Sequence, residues 1–270
     1  MTKRCLPLYE AEFPPIKPDS HSGLCFDKFC DHWSGSPNWK PEVPNKNEVA
    51  PRTDFLTSIA DHINQNRQAV ELTRHYLARR KKLIEALQGE SYLFGTSWRF
   101  VSGIGMGHVL ETGFVWHRTL GIPYLPGSSL KGMMHAYAKL CEKETEHLFG
   151  SNSSGAGQII VFDAIPNFRS ESEKIVEMDI MNPHYGDYYS GKSKNGEPIP
   201  PADYLSPNPI LFLTVADNVV FEFALGSRLP ARENKEILQD AFEIMKGALE
   251  NLGAGAKTAI GYGFWEEFKT

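Results

Sequence analysis

The chain has 270 residues, 41% of them hydrophobic, and a formal net charge of −5. That length buries a sizeable core in one elaborated domain or two small ones. The acidic balance removes the overall Lys and Arg excess that marks many nucleic-acid binders, although a local basic patch suffices for phosphate contacts.

No apolar run approaches the roughly 20 residues of a membrane span, and the opening MTKRCLPLYEAEFPPIKP has no signal-peptide core. Cys5, Cys25, Cys30 and Cys141 are too sparse in a chain this long for a disulfide framework. The expectation is a cytoplasmic protein.

Residues 1–53, rich in Pro, Asn and Trp, read as an irregular arm with one short helix around GLCFDKFCDHW. From Arg67 to Gln88 the pattern is helical: Val70, Leu77 and Ile84 recur every seven residues, and Gly89 follows as a stop. The basic run Arg79, Arg80, Lys81 and Lys82 reads as a solvated helix face or as a surface for RNA or a neighbouring subunit. YLFGTSWRFV, 92–101, reads as a strand, and the glycine-punctuated SGIGMGH leads to a second extended segment, VLETGFVWHR. In GIPYLPGSSLKGMMHAYAKLCEK, Pro126 and Gly127 make a turn and Ser128 or Ser129 can cap a helix. Its apolar face is Leu130, Met133, Met134, Tyr137, Ala138 and Cys141.

QIIVFDAIP is a strand ending at Asp163–Pro166, and a Pro-rich loop occupies 182–209. ILFLTVADNVVFEFALG reads as a hairpin turning at Ala216–Asn218. Ile237, Ala241, Ile244, Met245, Ala248, Leu249 and Leu252 trace one face of a helix from about Arg232 to Asn251, and IGYGFWEEF closes as a strand. Strand, helix, strand, hairpin, helix, strand is the order of an α+β ferredoxin-like fold, an antiparallel sheet with helices on one side. The expected organisation is the arm 1–53 and one domain over 54–270, with a loop insertion at 182–209.

The stretch LGAGAKTAIGYGFW invites comparison with an ATP-binding loop. Such a loop needs G-x-x-x-x-G-K-[ST] between a strand and a helix. Here Ala256 precedes Lys257 and the order is helix then strand, so that reading fails. Gly253 can cap the preceding helix. Four glycines around a Lys-Thr pair exceed that need, and glycines let exposed amides approach a phosphate chain.

GAGAKTAIGYG after the last helix resembles the glycine-rich signature of the RAMP superfamily of CRISPR proteins, and IPYLPGSSLKGMMHAYA is similar to that superfamily's other hallmark. HVLETGFVWHRTLGIPYLPGSSLKG, LFGS…GQIIVFDAIP, MDIMNPHYGDYYSG and PNPILFLTV follow the order found in the sixth-numbered RAMP subunits of Cmr, or type III-B, effector complexes. GLCFDKFCDHW resembles their opening motif, so the likeness runs from about residue 22 to 266. It implies an RRM-related core with long loop insertions and a non-catalytic role at the end of a stack of RAMP subunits. Guide RNA, near its 3′ part, and the other RAMP subunits would be the partners, with target RNA met indirectly. No membrane, cofactor or metal is implied.

On that reading the helix N-terminus at GSSLKG is an anion site, and Ser128, Ser129 and Lys131 are the first RNA-backbone candidates. Gly253, Gly255, Lys257 and Thr258 form the second group. Arg99 and Arg118 complete the set, each equally readable as a surface charge. His135 stands where the family often has arginine, and it is also the one histidine placed to serve the alternative reading, a metal-independent guide-processing endoribonuclease. A protein-only scaffold is the third possibility. His21, Cys25, Cys30 and His32 lack the short Cys-x2-Cys grip of zinc ribbons and read as a buried helix face. Asp163, Asp179 and His184 suggest acid–base chemistry only if they converge, and Asp163 more simply satisfies a turn amide.

Overall fold

A computed structural model of the chain describes residues 16–30, 33–34, 40–41, 51–151, 155–183, 185–194, 197–201, 209–229 and 231–269. Most of the expected arm, parts of the 182–209 loop, and both His32 and His184 lie outside the described residues. The principal helices are α1 (Ser22–Lys28), α2 (Pro51–Gln65), α3 (Arg67–Ala86), α4 (Gly127–Leu140) and α5 (Ala231–Asn251). The principal strands are β1 (Glu90–Thr96), β2 (Ile159–Val161), β3 (Ile165–Pro166), β4 (Val176–Met181), β5 (Ile210–Val215), β6 (Val220–Ser227) and β7 (Trp265–Glu267).

One antiparallel sheet runs β7-β1-β6-β2, with β3 also paired to β6. With α4 between β1 and β2 and α5 between β6 and β7, the core is the β-α-β-β-α-β of a ferredoxin-like fold. Phe94, Phe221, Phe223 and Leu225 are fully buried, and Phe94 meets Phe242 of α5 at 6.5 Å between ring centres. Each such side chain contributes about 1.5–3 kcal/mol relative to exposure. Helix α5 buries Leu238, Ala241, Ile244, Met245, Ala248 and Leu249, a helical stripe. It packs beside α4 at Gly247, where a Cβ would lie 2.5 Å from the Tyr137 ring.

Helix α3 buries Val70, Leu77 and Ile84, the seven-residue series of the sequence, and Asn66 caps it by accepting from the Ala69 amide at 3.0 Å. Gln88, not Gly89, takes the left-handed turn at its end (φ 52°). Gly89 is needed for another reason: a Cβ there would sit 2.3 Å from the Leu225 carbonyl. The basic run is not uniformly solvated. The Arg80 side chain is buried; it donates to the Asp163 carbonyl at 2.6 Å and pairs with Glu222 at 3.6 Å. Glu222 and Phe223 are strand neighbours and point to opposite faces, so α3 meets β6 from the side away from α5.

Two expectations are corrected, and one helix is new. Ile210–Ser227 is not a hairpin, because both runs pair with the segment 90–100: Val220 with Gly95, Leu225 with Glu90, and Val215 with Phe100. Between them the chain bulges outward at Ala216–Asn218, where Asn218 has φ 56°. Thr96 fills the gap, its hydroxyl donating to the Ala216 carbonyl at 2.9 Å and accepting from the Val219 amide at 3.0 Å. The free edge of β5 takes β4 instead, forming a separate ribbon. VLETGFVWHR forms no strand; it is a packed loop held by Phe114 and Trp116 in the core, with His108 stacked on Phe26 of α1 at 4.2 Å. Helix α2 was not expected. It is tied to the ribbon by Asn64, whose side chain bonds the Ile175 and Val176 amides (2.9 and 3.0 Å) and the Val176 carbonyl (2.8 Å).

Candidate functional site

Helix α4 begins where Pro126 adopts an extended conformation as N-cap without a side-chain bond. Capping is done by neither Ser128 nor Ser129 but by Asp163 from the β2–β3 connection, whose Oδ1 accepts from the Gly127 amide at 2.7 Å. The cause is close packing: a Cβ at Gly127 would be 2.5 Å from the Val161 carbonyl, so helix start and strand end are pressed together. Asp163 is therefore the turn-amide acceptor that the sequence suggested. Ser128 and Ser129 are exposed, and among the described residues their amides have no acceptor. Lys131 is half-buried one turn along.

The glycine loop starts as a helix cap. Gly253 (φ 72°) donates to the Ala248 carbonyl at 3.1 Å. Thereafter the loop is sewn to its neighbours: Ala254 to the Gly263 carbonyl (2.7 Å), Ala256 to Val101 (2.7 Å), and Gly263 to Arg99 (2.8 Å). Gly255 has φ 88° and a Cβ there would lie 2.3 Å from the Val101 carbonyl. Lys257 takes a left-handed conformation (φ 63°) before the short 3-10 helix Thr258–Ile260. Among the described residues, the amides of Gly255, Lys257 and Thr258 have no acceptor.

These two features are neighbours across a cavity of about 380 Å³. Ser129 and Met133 of α4 form one wall, Gly253–Ala256 another, and Ser102–Gly105 with Leu125 the rest. The structure thus brings Ser129, Gly253 and Gly255 together. It adds the SGIG stretch 102–105, which sequence reading passed over although its glycine spacing resembles that of the loop opposite.

The remaining cations fall elsewhere. The Lys257 amine lies over the rings of Phe212 (5.3 Å) and Tyr262 (5.9 Å) and 3.7 Å from the Met181 sulfur, so its charge is turned into the β4–β5 ribbon. Arg99 is held by two carboxylates of β4, bonding Glu177 closely and Asp179 at 2.8 Å, with its guanidinium over Trp98 at 5.0 Å. Asp179 also accepts from the Tyr262 hydroxyl and from the Ile180 amide at 2.7 Å. Burial works against the Asp179 charge, but these bonds outweigh it and hold the acid below its ordinary value. Burial and the bond to Asp179 push the Tyr262 hydroxyl up to about 12. Thr258 is half-buried beside Gly253, and Arg118 is exposed on the loop before Ile122, outside the cavity.

Asp179 is therefore committed to a charge cluster, and Asp163 to a helix cap. His135 lies on the far part of α4 with its ring 5.3 Å from that of Phe149, in a different cavity of about 1020 Å³ with Lys139, Lys143 and His147. Cys25 and Cys30 are buried, burial pushing the Cys25 thiol up to about 11. Among the described residues no three His, Cys, Asp or Glu side chains come together as a metal site, and no helix is long and apolar enough to cross a membrane.

A sequence model of the RAMP superfamily matches residues 83–266, more than half of the chain and inclusive of both cavity walls. Among curated proteins, the chain is similar to the CRISPR system Cmr subunit Cmr6 of Pyrococcus furiosus, at 30% identity over 82% of this chain and 81% of that one. It is also similar to the CRISPR system CMR subunit Cmr6 of Saccharolobus solfataricus, at 28% identity over 78% of this chain and 70% of that one. Its fold matches a chain in the cryo-EM structure of the type III-B Cmr-β bound to cognate target RNA, with a TM-score of 0.63 and 24% identity, over 84% and 77% of the two chains.

Proposed function

The chain belongs to the RAMP superfamily, and on that premise we propose that it is a subunit of a type III-B CRISPR effector that holds guide RNA by its backbone and does not cut it. One observation carries the RNA assignment. The first turn of α4 and the glycine loop, distant in sequence, meet around one cavity and leave the amides of Ser128, Ser129 and Gly255 without acceptors. Phosphate oxygens suit such amides, and the positive end of a 14-residue helix adds to the attraction. Backbone contacts position RNA without reading it, so the guide's sequence has little influence.

The subunit packs on neighbouring RAMP subunits, and it contacts the guide near its 3′ region. With Asp163 and Asp179 committed elsewhere, no acid–base pair lines the cavity among the described residues. His135 has no carboxylate partner among the described residues. Ultraviolet crosslinking of an assembled, guide-loaded complex tests the reading. Crosslinks at 127–132 or 253–263 are expected; an intact loaded complex with none in this chain would leave a protein scaffold. Incubating the purified chain with a repeat RNA is expected to yield no cleavage, and cleavage lost on His135→Ala would establish the nuclease instead.

A further inference from the structure

Resting on that reading, we propose that the cavity between α4 and the glycine loop takes one unstacked nucleotide of single-stranded RNA, base inward and phosphate at the mouth. A row of phosphates needs only a shallow polar track. Here the recess is about 380 Å³, within the roughly 300–1,000 Å³ of small-ligand sites. Its lining is of two kinds. Ile104, Leu125 and Met133 are apolar, suited to the flat face of a base or to a ribose. Ser102, Ser129 and the Gly255 amide are polar, and they stand on three different segments.

Ser102 adds a polar group to the deeper wall. The residue is 9% exposed, it lines the cavity, and its hydroxyl has no hydrogen-bond partner among the described residues, so it is open to an occupant of the cavity. A base edge or a ribose hydroxyl can pair with it, and because a hydroxyl both donates and accepts, the base is read only weakly. The phosphate belongs outside: Asp163 already occupies the Gly127 amide, which leaves the outer amides of Ser128 and Ser129 for an anion. The walls are preformed. The Ala256 amide bonds the Val101 carbonyl at 2.7 Å, joining the glycine loop to the segment that carries Ser102.

Among the described residues no aromatic side chain lines the cavity, so a base inside it is unstacked, and 2-aminopurine, which stacking quenches, reports it. Guides carrying 2-aminopurine at successive positions near the 3′ region, loaded into the whole complex, are expected to brighten severalfold at one position. Gly105→Leu adds bulk at the rim, where no chain atom lies within 4 Å of the Cβ position, and is expected to abolish that signal with the guide retained. Met133→Phe, which offers a ring to stack on, is expected to quench it as well, and serves should Gly105→Leu fail to assemble. Crosslinks to 127–132 or 253–263 without any bright position, or brightness that survives both substitutions, would overturn the nucleotide pocket and leave backbone binding standing. Loss of all crosslinks in this chain would overturn both.

Discussion

The glycine loop has two flanks, and they treat charge in opposite ways. On the ribbon side, Arg99, Lys174, Glu177, Asp179, Lys257 and Tyr262 satisfy one another, and every cation there has a carboxylate or an aromatic face. On the α4 side, the donors of Ser128, Ser129 and Gly255 carry no formal charge and have no acceptor among the described residues. On the closed flank the basic residues are already paired, whereas the open flank offers neutral amides with Lys131 one turn along. A lysine or arginine in the sequence is therefore a poor guide to where an anion can be held: cations are available only where the fold has not already paired them.

Gly255 serves both flanks, so substituting it has the largest expected effect. Gly255→Ala places a Cβ at φ 88° and 2.3 Å from the Val101 carbonyl, and loses about 2–5 kcal/mol of stability in urea unfolding from left-handed strain and overpacking together. A loss below about 1 kcal/mol would show that the loop is not fixed as described.

Asp179→Asn strikes the closed flank alone. It costs about 2 kcal/mol, the worth of hydrogen bonds to a charged acceptor, and flattens the acid limb of stability against pH. The sign follows from the direction of the shifts. Asp179 and Glu177 are held below their ordinary values, so their contribution is complete above the ordinary carboxylate range and is lost as pH falls through the lower folded values. Tyr262, raised to about 12, contributes fully below its ordinary value near 10 and loses that contribution as pH climbs toward 12. Ser129→Ala, on the open flank, leaves both limbs unchanged.

Charge on the two flanks separates in the salt dependence of guide binding. Lys131→Gln lowers the slope of log K against log salt by about 0.7, the contribution of one phosphate of a single strand, whereas Lys257→Gln leaves the slope as it was. Equal losses for both would erase the distinction between the flanks. The smallest effect has the opposite sign. Gly132 is exposed inside α4 with nothing near its Cβ position, so Gly132→Ala stabilises by about 0.5–1 kcal/mol in thermal unfolding.

Periodicity made α3, α4 and α5 legible within a residue or two, because each buries one stripe against a single sheet. The βαββαβ order was legible for the same reason. Helix α2 was missed although Phe55, Leu56, Ile59, Ala60 and Ile63 form a buried stripe at helical spacing; what was not legible is its position, because Asn64 fixes it on the β4 backbone more than a hundred residues away. The partnering of Ile210–Ser227 was hidden likewise. A hairpin is the local solution, while pairing with 90–100 depends on the Thr96 side chain.

Within the site, the glycines were legible as glycines and Ser129 as a helix-start hydroxyl, because both signals are local. The occupation of Arg99 and Lys257 was not, nor was the place of Ser102 in the cavity wall. By itself the sequence determined α3, α4 and α5, the glycine turns and the family, all of which follow from short-range spacing and residue type. Only the tertiary structure decided which donors remain free, because that depends on acceptors delivered from Asp163, Glu177 and Asp179 across the fold.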